Sequence, residues 1–302
     1  MSFAVHLPSL TSPLVDRVIV TRRGETLVDF DSGRHSGPMA LMSVTKSIVA
    51  IAVMKLFELG LIRSLDQPVR EIFLEWDQGR KSQVTIRHIL AHTSCLQAFR
   101  TTEEIYKSPD FVQLALCAEL SGEPGSAFFY NNKAVCLLAG IVEKASGLDL
   151  ETFCERHLFE PFGISDWEWD RDRAGNPHAF AGLSLGGRDL LKFGEMMLAK
   201  GQWRGRRILS EASVVELTAQ GQPHDESCGL LWWRLRDQGH AVGFYASGYL
   251  GQSLVVVPEH GLVAVRQCHW DSVQRTGESA LPKFNAEILA LTSAPSTEAY
   301  RR

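Results

Sequence analysis

The stretch SVTKSIVAIAVMKLFELG, residues 43–60, predicts a helix that is apolar on nearly every face and ends at Gly60. A helix of this kind lies at the centre of a protein rather than on its surface. Ser43 stands at its start, and Lys46 follows three residues later. Residues at i and i+3 share one face of a helix, so the Ser43 hydroxyl and the Lys46 amine come within hydrogen-bonding reach. The pair therefore supplies a nucleophile beside a candidate base.

Ser43 has an alternative role as the N-cap of this helix. A capping box then favours Glu or Gln three residues on, and acidic residues suit the positive end of the helix dipole. Lys46 has the wrong sign for that position, and the eight residues after it, SIVAIAVM, carry no charge. Both features disfavour the protonated amine and lower its pKa towards neutrality. We therefore interpret Ser43 as a nucleophile, whose backbone N–H near the helix start can stabilise an oxyanion.

Tyr130 and Asn132 form a second candidate group, placed after a Pro-Gly turn and before another apolar helix, NNKAVCLLAGIVEKASG. Taken alone, an Asn here caps the helix and the Tyr packs as an amphipathic aromatic. The functional interpretation makes Tyr130 a catalytic phenol, its anion favoured by Lys46, that carries a proton between Ser43, the leaving group and water. In that interpretation Asn132 orients Lys46 and binds the substrate carbonyl or amide.

The composition, 45% hydrophobic and 22% charged over 302 residues with a net charge of −4, is that of an ordinary globular protein. The charge and the lack of any long Lys/Arg run argue against a nucleic-acid partner. We expect no membrane span, because no run of about 18 apolar residues occurs. We expect a cytoplasmic location, because the first thirty residues lack a signal-peptide pattern. We also expect that the protein uses no metal or organic cofactor. The cysteines, without CxxC pairs, are expected to be reduced thiols: Cys95, Cys117, Cys136, Cys154, Cys228 and Cys268.

Short β-type runs lie near both ends of the chain, and helical patterns lie between them. Residues 16–30 predict a hairpin, and four further strands are expected within residues 228–269. The arrangement predicts an α+β protein whose antiparallel β-sheet is built from both chain ends, is flanked by helices and contains a large helical insertion. The sheet domain is assigned to residues 1–75 and 200–302, and the helical domain to residues 76–199. The active site is expected between them.

Taken together, these motifs resemble the class C β-lactamase and penicillin-binding-protein-like serine hydrolases. That family has a β-lactamase/transpeptidase-like fold and includes esterases, amidases and D-amino-acid peptidases. SVTK at 43–46 resembles its SxxK motif, YNN at 130–132 its Tyr-x-Asn motif, and TIRHILAHTSCL at 85–96 its helix-to-turn segment. FEPFGISDWEW and AGLSLGGRDLLKFGEMMLAKGQW are similar to segments that follow in the family. The resemblance keeps the family's order from about Val18 to Val265.

The sequence departs from the family pattern at two positions. Cys95 stands where the family usually has Gly. The best match to the third motif is Ala246-Ser247-Gly248, with Ala246 in place of a Lys or His. The resemblance implies that Ser247 and Gly248 border the substrate and that the Tyr249 N–H is the second oxyanion donor. The missing basic residue argues against carboxylate-bearing β-lactams or peptide ends, and favours neutral esters, amides or acyl carriers.

Two rival motifs are present. GLSLG at 182–186 matches G-x-S-x-G, the nucleophile-elbow pattern of α/β-hydrolases. That elbow follows a buried strand, whereas a loop, RAGNPHAFA, comes before Ser184, which we expect in the turn that enters the next helix. His88 and His92 have a helical zinc-ligand spacing, but HILAH lacks the Glu of H-E-x-x-H and a third ligand. We expect His92 to end its helix through local hydrogen bonds.

The sequence thus predicts a serine hydrolase that acts on an ester or amide through an acyl-enzyme, with Ser43, Lys46 and Tyr130 as its catalytic residues. Its partner is a small-molecule ester, amide or acyl-carrier substrate. Weak or no β-lactamase activity is expected. Two alternatives stay open. One is an acyltransferase that uses the same site; the other is a catalytically silent binding module on this fold, supported by Cys95 and Ala246.

Overall fold

The structure is a computed structural model that describes residues 7–99, 102–272 and 283–292. Within those ranges the chain forms eleven strands, of which the two central ones are fully buried. The strands are β1 (Arg17–Arg22), β2 (Glu25–Asp31), β3 (Met39–Ala40), β4 (Trp167–Trp169), β5 (Leu183–Leu185), β6 (Gln202–Trp203), β7 (Arg206–Arg207), β8 (Trp233–Asp237), β9 (His240–Ser247), β10 (Ser253–Val257) and β11 (Leu262–Gln267).

The helices of the same ranges are mostly short, and two of them reach fifteen residues. They are α1 (Val44–Glu58), α2 (Ile86–Leu90), α3 (Glu103–Lys107), α4 (Phe111–Cys117), α5 (Asn132–Ser146), α6 (Leu150–Cys154), α7 (Glu160–Phe162), α8 (Gly187–Leu198), α9 (Glu211–Thr218) and α10 (Phe284–Thr292). A π-helical turn, Glu155–Phe159, joins α6 to α7. Among the described helices, none has both the length and the apolar character needed to cross a bilayer.

The main sheet is six-stranded and antiparallel, in the order β2-β1-β11-β10-β9-β8. Strand β1 from the start of the chain pairs with β11 from its far end, so that Arg17 lies opposite Gln267. The predicted α+β fold with a sheet built from both chain ends is therefore confirmed. Strand β8 begins at Trp233, later than expected, because Cys228 forms only an isolated bridge to Trp233 and residues 230–232 form a bend before the strand.

Alternate residues of the sheet face two different apolar layers, as the two-residue period of a strand requires. One face packs on α1 and α8, and the other on the start of the chain and α10. Helix α8 crosses the sheet at close range: a Cβ at Gly194 would lie 2.5 Å from Val263 and 2.7 Å from Leu254. Only a glycine allows this approach.

Helix α1 lies between the sheet and the helical part of the chain, and nearly all its residues are buried. Helix α5 packs on α1 and α4. This central place is the one that its apolar sequence predicts. Helix α8 lies on the sheet, although it falls within residues 76–199, which the sequence assigned to the helical domain. The division into two domains remains a prediction.

Candidate active site

Ser43 is the residue just before α1, and its side chain makes no capping hydrogen bond to that helix. Instead, the Ser43 Oγ lies 2.9 Å from the Lys46 Nζ and accepts a hydrogen bond of 3.0 Å from the Tyr130 hydroxyl. The residue before it, Met42, has a φ of 51°, in the left-handed region that a branched or bulky side chain rarely adopts. The serine is thus presented to two catalytic candidates rather than used as a cap.

Lys46 is buried, with 2% of its surface exposed. Its Nζ donates a hydrogen bond of 2.7 Å to the carbonyl oxygen of Phe180 and lies 4.9 Å from the centre of the Tyr130 ring. No carboxylate of the described chain pairs with it, so burial lowers the pKa of the Lys46 amine to about 7. A large fraction of Lys46 is therefore neutral near pH 7 and able to accept a proton.

Tyr130 lies in an extended segment before α5, with its ring stacked against Trp233 at 6.1 Å and tilted against His92 at 4.6 Å. Burial raises the pKa of the Tyr130 phenol above its usual value, and the hydrogen bond to Ser43 only partly offsets this. This differs from the anion expected to be favoured by Lys46, because burial disfavours the charged phenolate. Tyr130 is a proton donor in this state.

The two asparagines of the YNN motif have separate roles. Asn131 caps α5: its Oδ1 accepts from the Ala134 N–H at 2.9 Å, and its Nδ2 donates to the Leu96 carbonyl at 2.7 Å. Asn132 is the first residue of α5, and among the described residues its buried Oδ1 has no hydrogen-bond partner. Asn132 was expected to orient Lys46, but the carbonyl of Phe180 occupies that role. Binding of the substrate by the Asn132 amide remains a prediction.

The end of β9 lies beside the start of α1. A Cβ at Gly248 would be 2.5 Å from the Leu41 carbonyl oxygen and 3.2 Å from the Met42 Cβ. In the described part of the chain, neither the Ser43 N–H nor the Tyr249 N–H donates to another protein group. Two free N–H groups on adjoining segments are what an oxyanion hole needs. Ser247 is exposed at the same edge, and the Tyr249 side chain is 67% exposed.

Replacing Gly248 with alanine is expected to lower kcat for ester hydrolysis on the order of 100-fold, the cost of losing one oxyanion donor. The added methyl collides with the Leu41 carbonyl and displaces the Tyr249 N–H from the site. Gly186→Ala is the matched control, since its Cβ meets only Asp189 at 3.7 Å. Steady-state kinetics and thermal melting of both variants check this. An unchanged kcat for Gly248→Ala contradicts the assignment.

The rival motifs lie elsewhere. Ser184 is in β5, where it pairs with Ala40 and Glu168 in a small three-stranded sheet rather than on an elbow. It was expected in the turn before α8, which begins only at Gly187. His88 closes a capping box with Thr85 at the start of α2. No cluster of three or more metal-binding side chains occurs among the described residues.

Two cavities border the Tyr130 segment. The one at the nucleophile encloses about 10 Å³, room for a single water molecule. Its lining consists of Ser43, Lys46, His92, Tyr130, Cys228, Leu231, Trp232 and Trp233. The other has a volume of about 450 Å³, within the usual range for small-molecule sites. It is bordered by Leu96, Ala98, Phe99, Phe129 and the Glu104–Lys133 ion pair.

Cys95, one of the two departures from the family pattern, has a φ of 55°. This is the left-handed region that favours glycine, which explains the family's usual residue there. The Cys95 thiol donates to the Glu123 carbonyl at 3.0 Å, a contact that no glycine can make. The backbone of the turn is therefore kept despite the substitution.

Three contributors to the site have no sequence signature of their own. The carbonyl of Phe180 holds Lys46, Trp233 stacks on Tyr130, and His92 contacts the Tyr130 ring. A backbone carbonyl can belong to any residue, so Phe180 could not be found from the sequence. Of the three, only His92 had a signal in the sequence, because it lies within the helix-to-turn segment at 85–96.

An antiparallel sheet covered by helices, with a Ser–Lys–Tyr group where the sheet meets the central helix, defines the β-lactamase/transpeptidase-like class of proteins. A family model described as Beta-lactamase matches residues 13–281, and the chain belongs to that family. The octameric penicillin-binding protein homologue of Pyrococcus abyssi has a similar fold. It superposes with a TM-score of 0.75 at 21% identity, over 94% of this chain and 75% of that one.

Three curated relatives match parts of the chain. A penicillin-binding protein of Bacillus subtilis is 33% identical over 136 residues, which is 42% of this chain and 29% of that protein. Esterase EstB of Burkholderia gladioli is 32% identical over 171 residues, 49% of this chain and 43% of EstB. Monacolin J acid methylbutanoyltransferase of Aspergillus terreus is 28% identical over 156 residues, 43% of this chain and 37% of that protein. Each match covers less than half of the relative.

Proposed function

We propose that the protein is a serine hydrolase that cleaves an ester or amide of a neutral acyl group through an acyl-enzyme on Ser43. The observation that carries this proposal is the hydroxyl of Ser43, held 2.9 Å from a buried amine and 3.0 Å from a phenol. The pKa of that amine, lowered to about 7 by burial, suits it to general-base catalysis near neutral pH.

In the acylation step, neutral Lys46 takes the proton of the Ser43 hydroxyl as its Oγ bonds to the substrate carbonyl carbon. The carbonyl electron pair moves onto oxygen, where the N–H groups of Ser43 and Tyr249 stabilise the charge. Tyr130 gives its proton to the leaving oxygen or nitrogen as that bond breaks, and the Lys46 ammonium returns a proton to Tyr130. The products are a free alcohol or amine and an ester on Ser43.

In the deacylation step, a water molecule in the small cavity beside Ser43 attacks the acyl group after the leaving group has departed. It gives one proton to the Lys46–Tyr130 pair as its oxygen bonds to the acyl carbon. The bond from that carbon to the Ser43 Oγ then breaks, and the Oγ takes the proton back. Because every proton moves within one hydrogen-bonded group, the cycle needs no metal ion or organic cofactor.

The preference for neutral substrates rests on Ala246. Its side chain is fully buried in the layer shared with α1, on the side of the strand that faces the catalytic helix. A Lys or His at this position would supply positive charge for a substrate carboxylate, and alanine supplies none. We therefore expect poor recognition of β-lactams and peptide ends that bear a carboxylate.

Acyl transfer is the second candidate activity. One relative is named as a methylbutanoyltransferase, and the same acyl-enzyme serves both outcomes. An alcohol or amine that reaches the acyl carbon before water turns hydrolysis into transfer. The cavity beside Ser43 has room for a single water, so a larger acceptor has to enter by the path that the leaving group vacates. The outcome therefore depends on the acceptor.

The proposal is tested by intact-protein mass spectrometry after exposure to p-nitrophenyl acetate, p-nitrophenyl butyrate, an anilide and a carboxylate-bearing cephalosporin. We expect acyl adducts from the esters, located on Ser43 by peptide mapping. We expect kcat/KM for the cephalosporin to be at least about 10-fold below that for the esters, the value of one lost charge contact. Adding an alcohol or amine acceptor measures the share of transfer.

The outcomes separate the candidates. Transfer product that exceeds hydrolysis product makes the protein an acyltransferase. A cephalosporin turned over faster than every ester overturns the preference for neutral substrates. No adduct and no turnover from any donor, together with saturable ligand binding, makes it a silent binding module.

A further inference from the structure

His92 is a buried residue that the proposed reaction does not use. It follows α2, has a φ of 57° and exposes only 2% of its surface. Burial, with Lys46 nearby, lowers the pKa of its imidazole to about 3. His92 is therefore neutral near pH 7, and we assign it no proton transfer in the reaction.

The contacts of His92 lie on both sides of Tyr130. Its carbonyl oxygen accepts a hydrogen bond of 2.9 Å from the Phe129 N–H. Its ring nitrogen Nδ1 accepts one of 3.2 Å from the Asn131 N–H. Since Nδ1 accepts, the ring proton is on Nε2. The backbone donors before and after Tyr130 thus both end on this one histidine.

Besides these two bonds, the Tyr130 segment is fixed by the Asn131 bonds to α5 and Leu96 and by the stacking of Tyr130 on Trp233. Residues 127–131 belong to no helix or strand, so their position depends on individual hydrogen bonds and ring contacts. The His92 ring packs against Tyr130 at 4.6 Å and meets the Phe128 ring edge-on at 6.1 Å. Rings at positions 128 and 130 share one side of the extended segment, and His92 contacts both of them.

We infer that His92 is a positioning residue for Tyr130: its ring and carbonyl hold the backbone around Tyr130 so that the phenol reaches the Ser43 Oγ. The inference rests on the proposed function, because it assigns a role within that reaction. The hydrogen bond from Phe129 ends on the backbone carbonyl of residue 92, so any residue at that position can accept it. The hydrogen bond from the Asn131 N–H needs a side-chain acceptor attached to the γ carbon of residue 92. Histidine supplies such an acceptor, and so does a residue with an acceptor in the same position.

Asparagine is that mimic. Its Oδ1 is attached to the same carbon position as the histidine Nδ1, and asparagine tolerates a positive φ better than most residues. His92→Asn is expected to keep kcat within about 3-fold of the native value, less than the worth of one hydrogen bond. His92→Leu, without an acceptor, is expected to lower kcat by roughly 10- to 100-fold, because a displaced Tyr130 phenol loses part of its contribution as a proton donor. KM should change less than kcat, because the lost hydrogen bond acts on the reaction through the Tyr130 phenol.

A double-mutant cycle with Tyr130→Phe separates positioning from general damage. If His92 acts through the Tyr130 phenol, His92→Leu has less than about a 2-fold effect on kcat once that hydroxyl is gone. Rates of p-nitrophenyl acetate hydrolysis and of fluorophosphonate labelling give the readout, with thermal melting as the check on folding. Should the Leu variant not fold, His92→Gln, whose acceptor is one carbon further out, takes its place with the same expectation.

Equal losses from His92→Leu with and without the Tyr130→Phe substitution overturn the inference, as does an Asn variant as impaired as the Leu variant. Either result leaves native acylation intact, so the proposed function survives it. Failure of the native protein to react with any ester or fluorophosphonate removes both proposals together. Two results together support the inference: kcat is retained in His92→Asn, and His92→Leu has little effect on kcat in the Tyr130→Phe background.

Discussion

Replacing Ser43 with alanine is expected to lower kcat for ester hydrolysis by at least about 10⁴-fold and to abolish labelling by fluorophosphonates. The alanine leaves Lys46 and Tyr130 in place but removes the atom that bonds to the acyl carbon. The remaining N–H donors then stabilise only an attack by free water, which is far slower. Intact mass after treatment with the probe, and steady-state kinetics with p-nitrophenyl acetate, measure the two effects.

Ser184→Ala is the control for this experiment, since Ser184 belongs to the rival G-x-S-x-G motif. It lies in the small sheet of β3, β5 and β4, and its loss is expected to leave both labelling and kcat unchanged. Labelling that survives Ser43→Ala and disappears with Ser184→Ala contradicts the assigned nucleophile and the mechanism built on it.

Lys46→Met is expected to give a protein that is nearly inactive yet more stable. The methionine fills similar space without an amine, so Ser43 loses its general base and kcat falls by roughly 10³-fold. In the native protein, kcat/KM should rise with pH through about pH 7, the pKa of the buried amine. That ascending limb should be absent from whatever activity the variant keeps.

The gain in stability follows from the same pKa. Lowering it from 10.5 to about 7 means that burying the amine costs on the order of 5 kcal/mol below pH 7. Leaving the Phe180 carbonyl unpaired offsets about 1–3 kcal/mol of this, so we expect a net gain of about 2–4 kcal/mol below pH 7. The desolvation cost that methionine removes is full below pH 7 and falls to zero as the pH rises to 10.5. The net gain therefore ends before pH 10.5, where only the cost of the unpaired carbonyl remains.

Urea unfolding of both proteins at pH 6 and pH 9 measures this difference in the free energy of unfolding. Lys55→Met on the same helix is the control for activity, because Lys55 contacts Glu58 and the Ile208 carbonyl at the far end of α1. Its kcat should equal that of the native protein. A Lys46→Met protein less stable than the native one at pH 6 would show that the amine is not desolvated as the structure implies.

The sequence was most informative where function opposes local preference. A lysine in the first turn of an apolar helix disagrees with the helix dipole, and this marked Lys46. The structure places it, with Tyr130, against the Ser43 hydroxyl. The α+β fold could be predicted because strand patterns stand at both ends of the chain. Such signals lie within short stretches of sequence, and they can be found without knowing which segments pack together.

Features that depend on packing could not be predicted. The direction of the Tyr130 pKa shift is set by burial beneath Trp233 and His92, which come from other segments. The choice between Asn131 and Asn132 as helix cap differs by a single position and was left open by the sequence. The hydrogen bond from Lys46 to the Phe180 carbonyl could not be predicted either, because the two residues meet only in the folded chain.

The pairing of β1 with β11 has a consequence for synthesis of the protein. Asp16 accepts a hydrogen bond from the His269 N–H, 253 residues further along the chain. Contacts this distant in sequence form slowly, and β1 with β2 alone is a hairpin of marginal stability. While the ribosome is still making β11, one edge of β1 stays open to pairing with other chains. Tyr249 and its N–H also come late, so a nascent chain carries the nucleophile long before it can use it.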